Sequence, residues 1–510
     1  MPHAPSTRPD NSDSRTGAWG IRAPHLLAAI VALIGIDDLL LLRFLGVASP
    51  ALWIAASIGL ALLLVAILRV GDDARIPPGR LLLCLALGIG IMVLGGEGRL
   101  FYANADWVVR YSLLADMARW PWPFAYAGVG TGPTILRAPI GMYLLPALAG
   151  KLGGASAMDW VLPGQNGLML GALLALGSTL FASVRTRRIA LAVVLVFSGM
   201  DTLGAMLVDP GELLPFVNHI DGWASSLQYS SNITLAFWVP QHAMIGWLGA
   251  LLFLLWRAGR LPLSCFLAIV PVTMIWSPLG VMGTLPFAAY AGIETLLRRR
   301  LTPADIVLPP VALVLAAAPI VYLQANAGKV GFHFSRPNLA LYAVFVLLEA
   351  VPFLAAAWFG NRARRIGSGP FALIAACLLL FPFLMVGVGA DFVMRASITP
   401  LAILAMLVAD VLAASISRRL AGWLLAILAV GALTPAREIL RAVIFDPAPT
   451  PSCDMPTAWT RSFPQFGKET YLAPAASLPT PLRPTRIALE APLTAGHCWS
   501  APWAVPRWHR

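Results

Sequence analysis

Acidic and basic side chains in the stretch 97–140 could perform chemistry, because apolar segments flank them on both sides. The stretch contains Glu97, Asp106, Asp116 and Arg137. Ionisable groups beside membrane-spanning helices usually mark a functional site. A carboxylate can act as a general base, and an arginine suits a phosphate. We therefore expect this stretch to lie along the membrane surface and to form part of an active site.

Further candidate residues fall in later loops that are predicted to lie on the same side of the membrane, except for His242, which lies at the start of a predicted span on that side. They are Asp209, Glu212, His219, His242, Arg336, Asp391 and Arg395. The loops predicted on the opposite side hold little except arginine and an occasional aspartate. This asymmetry favours chemistry or recognition at the outer membrane face.

Each candidate also has a purely structural interpretation. Asp106 could cap the helix that begins DWVVRYSLLADMARW, or pair with Arg110 at i, i+4 spacing. Arg336 and Arg395 could pair with Asp391 or another loop carboxylate instead of holding a phosphate. His219 and His242 could be core histidines, since the scattered His and Asp residues lack the close spacing of metal ligands.

Composition indicates a polytopic membrane protein. The chain is 58% hydrophobic and 12% charged, with a net charge of +12. A soluble domain carries about twice that charged fraction. The arginines stand in short clusters between apolar runs, as the positive-inside rule predicts, so we exclude nucleic acid as a partner.

Thirteen apolar segments are long enough to be candidate membrane spans. They lie near 24–46, 51–69, 81–96, 160–184, 189–208, 237–257, 261–276, 278–297, 304–323, 339–360, 370–389, 396–414 and 420–436. We therefore predict an all-α transmembrane domain over 24–436, with extracytoplasmic loops at 97–159 and 209–236. The basic clusters place a disordered N-terminus, 1–23, in the cytoplasm and the tail, 437–510, outside.

The segment 138–152 and the tail leave alternatives open. The segment is apolar but short, and it holds two prolines, so we favour a re-entrant or interfacial helix over a full span. A full span would raise the count by one. Cys453 and Cys498 in the tail could form a disulfide or stay unpaired. Cys84, Cys265 and Cys377 lie in apolar runs and are predicted core residues.

The loop after an early span resembles the first external loop of the GT-C membrane glycosyltransferases. The resemblance rests on an acidic residue that heads an amphipathic helix and on an aromatic-proline stretch after it. The matching residues are Asp106-Trp107, Arg110, Leu113-Leu114, Asp116, Trp120-Pro121, Arg137-Ala-Pro139 and Met142-Tyr143-Leu144. An extra N-terminal hairpin, 24–69, departs from the family pattern. The sequence has no Walker loop, HExxH or GxSxG motif.

The resemblance implies transfer of a sugar from a polyprenyl-phosphate carrier to a glycan, lipid or protein acceptor at the outer face. Asp106 would be the general base, and Arg336 and Arg395 would hold the lipid phosphate. Asp209 and Glu212 would shape the acceptor site or bind a divalent cation. Apart from the resemblance, the composition, rich in Arg, Ala and Leu, and the outward tail favour the bacterial inner membrane as the location.

Two other functions stay open. The chain could be a transporter or flippase of a lipid-linked glycan, for which Asp37, Asp38 and Glu349 are the candidate midplane groups. It could also be a non-catalytic scaffold, or a polymerase or ligase of surface polysaccharide, which would share the outer-face site.

Overall fold

A computed structural model describes residues 19–130, 132–361, 366–387, 389–414, 417–480 and 482–504, and it is mostly helical. The N-terminal residues 1–18 and the predicted basic cluster Arg362, Arg364 and Arg365 lie outside the described residues. The helices are α1 Ala23–Phe44, α2 Pro50–Leu68, α3 Pro78–Leu94, α4 Asp106–Arg119, α5 Gly141–Gly177, α6 Val184–Val196, α7 Asp201–Val208, α8 Asn232–Trp238, α9 Pro240–Arg257, α10 Leu263–Val272, α11 Pro278–Leu297, α12 Pro303–Gln324, α13 Leu339–Glu349, α14 Val351–Phe359, α15 Ser368–Leu380, α16 Asp391–Ala396, α17 Ile398–Ala413, α18 Arg418–Gly431, α19 Leu433–Ile444 and α20 Met455–Ser462.

Local sequence explains where several helices begin. Proline occupies the first helical position of α2, α3, α9, α11 and α12, where its missing N–H costs nothing. The Ser183 hydroxyl accepts the Thr186 N–H at the start of α6, and the Thr186 side chain completes a capping box. Asn338 caps α13 in the same way, accepting from two backbone N–H groups.

Five stretches in the described part of the chain are long and apolar enough to cross a membrane, or six if the bent pair α13–α14 is one span. They are Ala23–Phe44, Pro50–Leu68, Val184–Val208, Pro303–Gln324 and Arg418–Ile444. Four predicted spans correspond to shorter apolar helices of 10–17 residues, beginning at Pro78, Leu263, Ser368 and Ile398. The fold is therefore a helical membrane-type bundle, and the count of thirteen spans stays a prediction.

Helix α5 contains most of the segment 138–152, from Gly141 onward, and it breaks sharply at Gly154, where φ is 78°. The two halves lie side by side, because the Gln165 amide donates to the Met142 carbonyl across the break at 3.0 Å. Arg99 pairs with Asp159 just after the break. The two halves of α5 therefore fold back on each other, and a re-entrant or interfacial placement of this segment stays a prediction.

The basic turns meet at one end of the bundle, which we call the basic end. Arg260 binds Asp72 at 2.8 Å and the Thr179 carbonyl at 3.0 Å, which joins three turns that are far apart in sequence. Arg80 reaches Ser178, and Arg257 reaches the Ile366 carbonyl. These contacts match the alternation of basic clusters in the sequence. The side of the membrane on which the basic end lies stays a prediction.

The opposite end, which we call the polar end, carries the loops 97–140 and 209–231 and the segment 445–504. A four-stranded sheet joins the first loop to the C-terminal segment, with the strand order β7-β4-β3-β8. The strands of the protein are β1 Ile21–Arg22, β2 Arg75–Ile76, β3 Phe124–Tyr126, β4 Thr134–Leu136, β5 Phe332–Phe334, β6 Leu384–Val386, β7 Leu472–Pro474 and β8 Ala488–Glu490.

These strands correct the expectation of an all-α fold. None exceeds three residues, so none is long enough to produce a recognisable alternating pattern in the sequence. The structure also differs from the sequence prediction at the end of the N-terminal region and at the start of the tail. Residues 21–22 pair with β2 instead of belonging to a disordered N-terminus, and α19 extends the last apolar run to Ile444. The tail therefore begins near 445.

The sulfur atoms of Cys453 and Cys498 are bonded, which closes a loop of the C-terminal segment. Cys84, Cys265 and Cys377 are free and buried among apolar side chains, as predicted for core residues. Inside the disulfide-closed loop, α20 packs against α4, and the Met455 N–H donates to the Asp116 carboxylate at 2.8 Å. The C-terminal segment is thus attached to the first loop by a sheet and by this helix contact.

Candidate active site at the polar end

Asp106 lies in the first turn of α4, with its carboxylate at the surface of the polar end. Its Oδ2 is 2.9 Å from Nη2 of Arg110, and the Asp106 side chain is 31% exposed. The side chain of Asn104 stabilises the turn before the helix, where its Oδ1 accepts the Asp106 N–H at 3.1 Å. The carboxylate of Asp106 makes no capping contact with the helix. The capping interpretation of Asp106 is therefore wrong, and the i, i+4 ion pair is present.

Arg110 is buried, and its contacts hold α4 against α8. Its Nη1 donates to the Trp238 carbonyl, and the guanidinium lies over the Trp107 ring with 5.6 Å to the centroid. The side chains of Asn104 and Trp107 both donate to the Phe237 carbonyl, at 2.7 and 2.8 Å. The end of α8 is thus held by Asn104, just before α4, and by two side chains from the N-terminal part of α4. As a result, Asp106 stands in a fixed position.

Tyr471, from the C-terminal segment, lies among four charged groups of the site. It is close enough to Asp106, Arg110, Asp391 and Arg395 for each charge to act on its phenol. Burial raises the pKa of Tyr471, and Arg110 opposes that effect. The hydroxyl is therefore a neutral hydrogen-bonding group near the Asp106 carboxylate at neutral pH.

Arg395 and Asp391 form an ion pair at i, i+4 spacing on α16. The Nε of Arg395 is buried and has no hydrogen-bond partner among the described residues. The charges of Arg395 and Arg110 both act on the ring of His242, whose Nδ1 lies 2.7 Å from the Ser277 hydroxyl. The structure therefore brings Asp106, His242, Asp391 and Arg395 into one region, from three separate parts of the chain.

A second polar group adjoins the first through Trp238. The indole N–H of Trp238 donates to Glu438 at 2.8 Å, and the His219 ring stacks on the indole at 4.4 Å between centroids. Nδ1 of His219 and Nη1 of Arg441 lie 2.8 and 3.1 Å from Oε1 of Glu438. A cavity of about 10 Å³, the space of one water molecule, lies between Glu438, Arg441 and Asn104.

Two titratable groups of the loop 209–231 belong to this second group. Burial would lower the pKa of His219, but its hydrogen bond to Glu438 and the charges of Glu438 and Asp221 raise the pKa above its ordinary value. Burial and the charge of Asp201 raise the pKa of Asp221 to about 8. Near neutral pH the side chains of His219 and Asp221 are therefore protonated to a greater extent than the same side chains would be at their ordinary pKa values.

Two predicted site residues have structural partners instead. Glu97 is buried, and both its oxygens accept from the Asn166 amide, at 2.9 and 3.0 Å. Asp116 is buried beneath the C-terminal segment and also accepts from the Tyr126 hydroxyl at 2.9 Å. Burial raises the pKa of both carboxyl groups. These contacts stabilise the polar end, and they place neither group at the surface where a substrate would bind.

Arg137 positions the site without entering it. Its Nε donates to the Ala325 carbonyl at 2.8 Å, and its backbone N–H donates to the Tyr471 carbonyl at 2.7 Å. Arg137 therefore fixes the strand pair that carries Tyr471. A positioning role follows from the geometry, in place of the predicted contact with substrate.

The remaining predicted residues lie apart from Asp106. Asp209 and Glu212 are exposed, and their described bonds are local, to the Gly211 N–H and the Asn218 amide. Arg336 is exposed after β5, on the ribbon whose second strand leads towards α16. Among the described residues, no group of three His, Cys, Asp or Glu side chains is placed to hold a metal ion. Roles for these residues in acceptor, phosphate or cation binding stay predictions.

Sequence reasoning missed Glu438, Arg441, Trp238 and Tyr471. Glu438 and Arg441 had a visible signal, because they follow the last apolar run at helical spacing and at its outer end. Tyr471 had none, since its segment shows no periodicity. Comparisons with known proteins add no identification: no family model, no curated protein and no solved structure matches this chain.

Proposed function

We propose that this chain is a membrane glycosyltransferase that moves a sugar from a polyprenyl-phosphate carrier to an acceptor at the outer face of the membrane. The observation that carries the proposal is the position of Asp106. Its partly exposed carboxylate lies in one region with Arg395, His242 and Tyr471, which come from different segments. A carboxylate near an arginine with an unpartnered donor suits transfer of a group from a phosphate.

The reaction would proceed by in-line displacement at the anomeric carbon. Asp106 takes the proton of the acceptor hydroxyl, and the acceptor oxygen forms the new bond to that carbon. The bond from the carbon to the phosphate oxygen breaks, and its electron pair leaves with the polyprenyl phosphate. Arg395 exchanges part of its pairing with Asp391 for the phosphate, whose negative charge grows as the bond breaks.

The resemblance to GT-C enzymes and the pattern of basic turns support the accompanying topology. In this proposal the thirteen predicted segments cross the bacterial inner membrane, with the basic end and the N-terminus in the cytoplasm. The C-terminal segment then lies outside, where oxidising conditions suit the bond between Cys453 and Cys498. The acceptor is a glycan, a lipid or a protein.

Mass spectrometry of co-purifying lipids tests the donor site. We expect wild-type protein to retain a polyprenyl phosphate or its sugar conjugate, and Arg395→Ala to lose it. Arg461→Ala is a matched control, because Arg461 is exposed at the same end and binds the Gly496 and Ala495 carbonyls. Retention of the carrier by Arg395→Ala, or bulk phospholipid alone in the wild type, would count against this site.

One observation favours transport of a lipid-linked glycan as the second candidate. Glu349 lies where α13 and α14 meet at a bend of 43°, about 15 Å along α13 from its start. It faces Asp201 at the break between α6 and α7, and a Cβ on Gly199 would collide with its carboxylate. Transporters place ionisable groups on broken helices near the midplane. Asp37 and Asp38, the other predicted midplane groups, are buried in α1, where Asp37 accepts from the Trp276 indole.

A further inference from the structure

An apolar cavity of about 400 Å³ lies between α3, α5, α6 and α9, away from the candidate active site. Apolar side chains line most of it, including Leu170, Leu251 and Met406. It opens to the side of the bundle, because Leu83 and Val184 on its rim are 57% and 54% exposed. In a membrane this opening would face lipid chains and not water.

The cavity ends in uncompensated positive charge at the basic end. Arg80 and Arg187 both line it, in the first turns of α3 and α6. Arg80 binds the Ser178 hydroxyl and the Arg75 carbonyl, and Arg187 binds the carbonyls of Ser183 and Ala182. Within the described ranges, no carboxylate forms an ion pair with either arginine.

Nearby carboxylates at the basic end are engaged by other arginines. Asp72 pairs with Arg260, and Glu294 pairs with Arg257 and Arg298. An arginine in the first turn of a helix also opposes the positive end of the helix dipole. Positive charge from the N-termini of α3 and α6 and from their two arginines therefore collects at one place. A bound anion there would reduce the repulsion among these positive groups.

The length of the cavity fits one leaflet. On α3 it extends from Arg80 to Ile91, which is about 17 Å at about 1.5 Å per residue. Half of a hydrocarbon core is about 15 Å thick. An acyl chain whose head group lies at the basic end would thus fill the cavity without reaching the polar end.

We propose that this cavity binds an anionic glycerophospholipid of the leaflet at the basic end, with its phosphate between Arg80 and Arg187 and an acyl chain along α3 and α6. The bound lipid would also pack against Ile233 and Ala236 of α8. Arg110 of the candidate active site donates to the carbonyl of Trp238 at the end of α8. A lipid that packs against α8 would therefore also stabilise the candidate active site. The proposal does not depend on the reaction at that site.

The test compares lipids retained by purified full-length variants. We expect the wild type to retain about one anionic glycerophospholipid per chain, and Arg80→Gln with Arg187→Gln to lose it. The matched control is Arg185→Gln with Arg300→Gln, which removes the same charge from the same end without touching the cavity. Equal loss in the control, or a polyprenyl phosphate as the lipid lost, would overturn the proposal.

A second variant keeps the charges and removes the space. Leu191→Trp should fill the cavity and exclude the acyl chain, while Arg80 and Arg187 remain. In nanodiscs of phosphatidylcholine, adding phosphatidylglycerol should raise the melting temperature of the wild type and of the Arg185/Arg300 control. It should leave Leu191→Trp and the Arg80/Arg187 variant unchanged. A rise of the same size in all four proteins would show only a general surface effect and refute the site.

Discussion

Nη2 of Arg110 lies 2.9 Å from Oδ2 of Asp106, one helical turn earlier, while Nη1 of the same guanidinium binds the Trp238 carbonyl. The carboxylate is therefore held by a buried cation that is itself fixed to another helix. A general base must be held in a productive orientation, and these contacts fix the orientation of the Asp106 carboxylate.

Asp106→Asn is expected to lower turnover of the lipid-linked donor by roughly 100- to 10,000-fold, the usual contribution of a general base. Asparagine keeps an oxygen that can accept from Arg110, so the fold should survive. Product formation by reconstituted protein measures the effect, using the donor identified by lipid analysis. Glu469→Gln, which changes an exposed carboxylate of the C-terminal segment at the same end, is the control and should keep full activity.

Asp37→Asn with Asp38→Asn separates the two candidate functions. Both aspartates are buried in α1, far along the sequence from the site, and a transferase should keep its turnover without their charges. A transporter that uses them should lose movement of lipid-linked glycan across vesicle membranes. If this double variant abolished function while Asp106→Asn left it intact, the transferase proposal would fall.

The loop 209–231 should lose protection as pH rises. Because the pKa of His219 is raised in the folded state, protonation of His219 stabilises the folded loop below its unfolded-state pKa of 6.5. That stabilisation is lost as the pH rises through the folded-state pKa. The pKa of Asp221 is raised from 3.8 to about 8, so its contribution also falls across this interval. The protection factors of the loop amides, which correct the exchange rates for the intrinsic pH dependence of amide exchange, should therefore be higher at pH 6.5 than above about pH 8.

His219→Gln provides the check on that pH dependence. The variant should lose the step in exchange that follows the His219 pKa and keep the part due to Asp221. A loop whose exchange protection is the same at both pH values in the wild type would contradict the assignment.

Reduction of the bond between Cys453 and Cys498 should destabilise the C-terminal segment. The two cysteines are 45 residues apart, and closing a loop of that length is worth about 2–4 kcal/mol. Limited proteolysis with and without reductant measures the change within 445–504. Cys453→Ser with Cys498→Ser should be equally sensitive under both conditions, whereas sensitivity of that variant to reductant would point to another cause.

The sequence could predict the helical membrane class and the grouping of basic turns, because both follow from local composition. It could also find Asp106 with Arg110, since i, i+4 spacing is local. It could not separate Asp106 from Asp116, which has the same side chain ten residues later on the same helix. Only packing of the C-terminal segment buries Asp116, and no local pattern encodes that contact.

The same limit explains why Tyr471 was not predicted. Tyr471 reaches the site through β7, whose three residues pair with β4, and this pairing joins segments that are distant in sequence. Glu438 was missed for a different reason. It belongs to a helix that the sequence analysis ended at 436, so its side chain was assigned to the tail, although the helical spacing continues to Ile444.

The location of Tyr471 beyond every apolar helix has a consequence for biogenesis. Asp106 is synthesised early, but the phenol that completes its surroundings is added only after the last apolar helix has been made. A partly synthesised chain in the translocon therefore carries the carboxylate without its full set of neighbours. Competence to react would then arise after release from the ribosome, when the bundle is complete.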